Sequence, residues 1–262
     1  MKRQLTTSLV LLATWGTSGA HPGLARQSAK QTFSSAAEAT QSLFQAVQHG
    51  NVQAIGNILG GATDLTSSGD EAQDKADRQL FVQKYQEMHR LGREADGSVI
   101  LYMGAENWPF PIPLIEKNGT WRFDADNGRK EVVFRRIGEN ELTAIAICHE
   151  FVAVERQHHP EANGVSPADS FPANLIASSE SGSSNPVLFY GYYFHVLATG
   201  GKKAGGFALI AYPAEYRSSG VMTFIVAAND VVYEKDLGAN TSALASVMTA
   251  FYKDATWHAA DE

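Results

Sequence analysis

Ile112-Pro113-Leu114-Ile115-Glu116-Lys117-Asn118-Gly119-Thr120-Trp121-Arg122-Phe123 is the stretch that decides the fold class. Asn-Gly between two β-prone runs is the strongest short signal for a two-residue hairpin, because both turn positions need positive φ. In the second strand, Trp121 and Phe123 fall on one face and Arg122 on the other. Upstream, Val99-Ile100-Leu101-Tyr102 predicts a further strand. Pro109, Pro111 and Pro113 confine the segment between to an edge or irregular strand, since proline has no N–H for a ladder.

The residues before this sheet have helical period. Ser35-Ala36-Ala37-Glu38 has the form of a capping box, with Glu38 placed to reach back to the Ser35 amide. Ala39, Leu43, Phe44 and Val47 then make an apolar stripe. His49-Gly50-Asn51 breaks it, and Ile55, Ile58 and Leu59 start a short second helix ending at Gly60-Gly61. Phe81, Tyr85 and Met88 predict a third helix after a polar loop. Helices followed by a curved antiparallel sheet describe an α+β domain, assigned to residues 31–136.

A second α+β domain is expected over 137–262. Residues 139–159 form the longest helical candidate, with Leu142, Ile145, Cys148 and Val152 on one stripe and Ala144, Ile147, Phe151 and Val154 on the rest. Residues 160–186 hold four of the nine prolines and read as a long loop. Tyr192–Ala198, Phe207–Tyr212, Val221–Ala227 and Val231–Lys235 alternate as strands joined by short connections, which predicts an antiparallel meander. Asn240-Thr241 then caps an expected last helix carrying Leu244, Met248 and Phe251.

Met1-Lys2-Arg3 followed by an apolar run to Trp15 and small residues at Ser18 and Ala20 reads as a secretory signal peptide over residues 1–20, cleaved before His21, with Gly23-Leu24-Ala25 as a second cleavage point. The apolar run is shorter than the ~20 residues a membrane span needs, so no transmembrane segment is expected in the mature chain. The expected location is therefore periplasmic or secreted. The formal charge of −7, which becomes −9 once Lys2 and Arg3 are removed, excludes nucleic acid as the main partner. One cysteine in 262 residues excludes an internal disulfide framework.

Local catalytic signatures are weak throughout. His149-Glu150 invites comparison with a zinc helix, but Ala153 occupies the place of the second histidine, so no metal and no cofactor is expected. No G-x-S-x-G turn occurs. Gly200-Gly201 and Gly205-Gly206 bracket Lys202-Lys203 without phosphate-loop spacing, which predicts a flexible hairpin. Cys148 sits among apolar neighbours as an inert thiol. Carboxylates such as Asp70, Asp77, Glu234 and Asp236 leave open a paired acidic site. Aromatic residues supply the candidate binding surface: Trp108, Tyr192, Tyr193 and Tyr212. On the strand Tyr192-Tyr193-Phe194-His195 one face must be core, and core packing of both faces is the expectation, with an exposed binding surface on the other face as the alternative.

Trp108-Pro109-Phe110-Pro111-Ile112-Pro113, Trp121-Arg122-Phe123-Asp124 and Arg136-Ile137-Gly138-Glu139-Asn140-Glu141-Leu142 resemble a known group. Gly191-Tyr192-Tyr193-Phe194, Gly205-Gly206-Phe207-Ala208, Ser219-Gly220-Val221-Met222-Thr223-Phe224 and Val232-Tyr233-Glu234-Lys235-Asp236-Leu237-Gly238 complete the likeness. It is the bacterial exported family catalogued as domain of unknown function twenty-nine-fifty. The resemblance brings no catalytic residues. The second domain is also similar to the headgroups of type IV pilins and pseudopilins, while the first is similar either to such a headgroup or to the cone-shaped nuclear transport factor two fold. The expectation is a non-catalytic binding or assembly module of the cell envelope, with other envelope proteins as partners. The alternative is a small-ligand-binding protein or enzyme using a pocket in the first domain, which convergent polar residues in a deep apolar pocket would favour.

Overall fold

A computed structural model describes residues 31–61, 65, 71–158, 171–180, 185–197, 207–251 and 253–260. The expected signal peptide at 1–20 and the Gly-Lys-Lys-Gly hairpin at 200–206 lie outside the described residues. Helices and two antiparallel sheets make the protein α+β, and the chain divides into two compact units, Met1–Val132 and Val133–Glu262.

In the first unit, helix α1 (Ala36–Gln48) begins at Ser35, whose hydroxyl accepts from the Glu38 amide at 3.0 Å. The return bond of the capping box goes elsewhere than expected. Glu38 accepts from the Ser34 amide at 2.8 Å, one residue earlier than the Ser35 amide. The extended backbone at Ser35 brings the preceding N–H within reach of that carboxylate. Helix α2 (Val52–Ile58) is capped by Asn51, and α3 (Glu71–Glu87) stops before Met88, which is exposed.

The sheet of this unit has the order β1-β2-β4-β5, with β3 also on β2. Its strands are β1 (His89–Arg93), β2 (Val99–Met103), β3 (Trp108–Pro109), β4 (Leu114–Lys117) and β5 (Thr120–Phe123). Asn118 and Gly119 take φ of +53° and +72°, pairing Lys117 with Thr120 as the Asn-Gly signal requires. Trp121 and Phe123 point into the core beneath α1, together with Leu43, Leu101 and Ile112. Strand β1 was not foreseen in the period of the sequence, since nearly every residue in it is exposed.

Helix α4 (Ala125–His158) starts well before residue 139. Gly128 and the charged run Arg129-Lys130-Glu131 obscure its first turns in the sequence. The glycine has a packing reason: a Cβ there would lie 2.8 Å from Ile112 Cγ1.

In the second unit, residues 171–180 correct the expected loop by forming helix α5 (Phe171–Glu180). Pro172 is tolerated in its first turn, where an amide has no intrahelical partner anyway. Phe171 stacks on Phe189 with ring centroids 4.1 Å apart, and Leu175 and Ile176 are buried. The meander is six strands in strictly sequential order: β6 (Val187–Phe189), β7 (Tyr192–Leu197), β8 (Ala208–Pro213), β9 (Met222–Ala227), β10 (Val232–Asp236) and β11 (His258–Ala259).

Alternation sends Tyr192, Phe194, Leu209, Ala211, Phe224 and Val226 into one cluster with Cys148, Phe151 and Val152 of α4. Leu197, Ile210, Tyr212 and Ile225 face the other way, under Ala245 and Trp257. The expected last helix is only α6 (Thr241–Ala245). Ser246, Val247 and Thr249 are poor helix formers, and Leu244 is exposed, while Met248 and Phe251 pack on the sheet beyond the helix end.

Helix α4 also grips the β8–β9 connection. Arg136 Nε donates to the Ser218 carbonyl at 3.1 Å and Asn140 Nδ2 to the Ser219 carbonyl at 2.8 Å. Glu141 Oε1 accepts from the amides of Val221 and Met222 at 2.8 and 3.0 Å.

Candidate functional site

Helix α3 lays down its buried stripe at Asp74, Asp77, Phe81 and Tyr85. These positions are three to four residues apart, so they share one helix face. The face is turned toward α1 and α2, where apolar residues belong. At its first two places it carries carboxylates instead, each residue only 6% exposed.

Between the three helices this face walls a cavity of about 60 Å³. Leu43 and Val47 come from α1, Ile55 and Leu59 from α2 and its cap, and Phe81 and Phe110 complete the apolar wall. Asp74, Asp77 and Arg78 are the charged residues lining it. A void of this volume admits a few waters or a small organic group.

Asp77 is held on one side only. Gln73 Nε2 donates to its Oδ1 at 2.8 Å, while Oδ2 is buried with no hydrogen-bond partner among the described residues. Burial lifts the Asp77 carboxyl above the ordinary aspartate range, and the negative charge of Asp74 pushes the same way. The Gln73 hydrogen bond and the Arg78 charge oppose them.

An acceptor kept out of water without a donor costs about 1–3 kcal/mol. Such a group is retained in spite of folding energetics, and it sits on a cavity wall. That combination of a mainly apolar cavity, one unsatisfied acceptor and a perturbed carboxyl makes this the candidate ligand site.

The residues singled out in the sequence are placed differently. Tyr192 is fully buried under α4, and its hydroxyl donates to the Met222 carbonyl at 2.9 Å. Tyr212 is 2% exposed on the opposite face of the sheet, 5.6 Å ring to ring from half-buried Tyr193. Burial raises both the Tyr192 and the Tyr212 phenols above the usual range. Trp108 belongs to the first unit, half-buried against Phe110 at 6.5 Å. Tyr193 and Tyr212 are thus neighbours, Tyr192 points the other way, and interior packing claims both Tyr192 and Tyr212.

His149 is tied to Asp230 through Nδ1 at 2.9 Å, and Arg156 reaches the same carboxylate at 3.2 Å. Cys148 is a buried free thiol whose pKa burial pushes up. Among the described residues no group of three or more His, Cys, Asp or Glu side chains is gathered to hold a metal ion. Also among them, no helix is long and apolar enough to cross a membrane.

Asp74 was missed in the sequence. Its signal was available in the spacing Asp74, Asp77, Phe81, Tyr85, where aspartates continue an apolar stripe backwards by two places.

Residues 30–181 and 160–260 match the family described as "Protein of unknown function (DUF2950)". No curated protein and no solved structure matches the chain.

Proposed function

The chain belongs to the DUF2950 family, and from that premise we propose that it is an exported, non-catalytic ligand-binding protein. Its first unit takes a small apolar molecule carrying an N–H or O–H donor. The observation supporting this reading is Asp77, which lines a mainly apolar cavity and whose buried Oδ2 has no hydrogen-bond partner among the described residues. A donor at the buried end of the ligand would satisfy it, while the aliphatic and aromatic walls accept the remainder. Three helices preceding an antiparallel sheet, with the cavity among the helices, also suit the cone-shaped alternative for this unit.

An assembly module with a pilin-like second unit draws its support from the long helix α4 ahead of a sequential meander. The burial of Tyr192 and Tyr212 removes most of the aromatic surface that reading would use, so ligand binding is preferred.

The binding reading is tested by titrating 1-alkanols of increasing chain length and following the methyl resonances of Leu43, Val47 and Ile55. Saturable shifts in the native protein, absent in Asp77→Leu, are the expected result. No shifts at any chain length would sink it. Asp77→Leu should meanwhile gain about 1–3 kcal/mol at pH 7, because an apolar side chain replaces a desolvated acceptor.

The sign of the pH dependence follows from linkage. The folded carboxyl binds its proton more tightly than the unfolded one, so stability falls as pH rises from about 3.9, the free-aspartate value, through the raised folded value. Asp77→Asn should therefore raise the melting temperature at pH 7, and the gain should vanish below about pH 4.

Export is part of the proposal and has its own test. Intact mass of the protein purified from its native envelope should correspond to a chain starting at His21, as short side chains at Ser18 and Ala20 suit signal peptidase, or else at Arg26. A full-length species in the cytoplasm would overturn it.

A further inference from the structure

Beside the cavity lies a second depression, a groove of about 290 Å³ bounded by the end of α1 and the outer side of α3. Gln48, Lys75, Arg78 and Gln79 line it, with Val47 and Val82 as its apolar part. Val47 and Arg78 line the cavity as well, so one aliphatic and one guanidinium side chain are common to both. Helix geometry explains the division. Asp74 and Asp77 face inward, whereas Lys75 and Arg78 come one residue later in each turn and lie about 100° round the helix. Both carboxylates thus line the cavity, Lys75 lines only the groove, and Arg78 lines both.

Neither cation is engaged in an ion pair among the described residues. Lys75 is exposed, Arg78 is half-buried, and Arg78 acts on Asp77 through space. A half-buried guanidinium shared by the cavity and the groove presents a planar fork suited to carboxylate or phosphate. The two glutamines add amide donors at the same opening.

Building on the binding reading above, we infer that the ligand is an amphiphile with an anionic head, held by Arg78 and Lys75 in the groove while its apolar body and donor end enter the cavity toward Asp77. The arrangement selects polarity along the molecule. An anion pushed inward would meet Asp74 and Asp77 against Arg78 alone, and a cation left outside would meet Arg78 and Lys75. A ligand reversed end for end is disfavoured at both places.

Two probe series that share a buried end separate this inference from the reading beneath it. ω-Hydroxyalkanoates and 1-alkanols of equal chain length both present a hydroxyl to Asp77, and only the first ends in an anion. Isothermal titration at low ionic strength should show the hydroxy acid binding about tenfold or more tighter, since a charge-assisted hydrogen bond contributes about 1.5–3 kcal/mol. Added salt should narrow the gap by screening. The variant Lys75→Gln, altered at an exposed position that lines the groove and not the cavity, should narrow the gap between the two series while keeping the alkanol affinity. Equal affinities for the two series in the native protein would overturn the anionic head and leave the cavity reading standing. Binding of neither series would overturn both.

Discussion

Gly220→Ala is expected to destabilise the second unit by about 3 kcal/mol or more, at the upper end of what overpacking a filled interior costs. A Cβ at this position would lie 2.1 Å from Tyr192 Oη and 2.5 and 2.6 Å from ring carbons Cζ and Cε2. Three contacts this short cannot be relieved by turning one terminal atom. Tyr192 is fully buried, packed 5.9 Å from Phe224, with its hydroxyl donating to the Met222 carbonyl. Moving the ring breaks that bond and presses on the cluster beneath α4. Moving the backbone at Gly220 instead disturbs the Arg217 amide, which donates to the Gly220 carbonyl at 2.7 Å. Urea unfolding followed by near-ultraviolet circular dichroism reads the loss. A double-mutant cycle with Tyr192→Leu, which removes the struck ring, should show losses well below additive. Full additivity, or a single-variant loss under about 1 kcal/mol, would mean the ring has another place to go.

Glu141→Ala should have an effect of similar size by a different route. One carboxylate oxygen accepts from the amides of Val221 and Met222, and the Tyr192 hydroxyl lies 3.5 Å away. These are the first residues of the central strand β9 and the residue before it, so the bonds fix where the strand begins. Hydrogen bonds to an ionised group contribute about 1.5–3 kcal/mol each, so losing two acceptor contacts should cost about 3 kcal/mol after local relaxation. Glu141→Gln keeps an oxygen in place and should cost about 1 kcal/mol. Amide hydrogen exchange supplies the local readout: protection should fall first at Val221 and Met222. Unchanged protection there in the alanine variant would show that β9 is positioned without the carboxylate.

Much of the architecture was visible in the residues because its signals are local. Asn118-Gly119 dictates both the turn and the register of β4 on β5. The inner strands of the meander stand out as apolar runs bounded by turn residues, since the sheet is packed on both faces and each strand must satisfy two cores. The misses have physical causes too. Strand β1 has no buried face and hence no alternation. Helix α5 opens with Phe171-Pro172 and ends in serines, so composition concealed the spacing of Phe171, Leu175 and Ile176. The first turns of α4 carry Gly128 for the sake of Ile112, a contact set by tertiary packing that no linear pattern displays.

The candidate site was less legible than the fold. Asp77 stood among the carboxylates of interest, but its importance comes from what α1, α2 and Phe110 place around it. An aspartate at the position of a core residue looks, in one dimension, like an ordinary polar position on a helix surface. The aromatic strand had two readings, a core strand and a recognition surface. Tyr192 and Tyr212 have the chemistry of a recognition surface, yet strand pairing puts them on opposite faces, both covered.

Burial of Cys148 gives this chain a chemical clock. Alkylation and disulfide exchange need an accessible thiolate, and the folded state offers neither access nor ionisation at this sulfur. Reagent reaches it only when α4 lifts from the sheet, so labelling time measures how often the second unit opens. For a chain exported as proposed, the same shielding divides its history in an oxidising compartment into two periods. Before α4 docks, a lone thiol can cross-link two chains; after docking it is out of reach. Any disulfide-linked dimer recovered from such a compartment was therefore joined while its chains were still folding or had opened again.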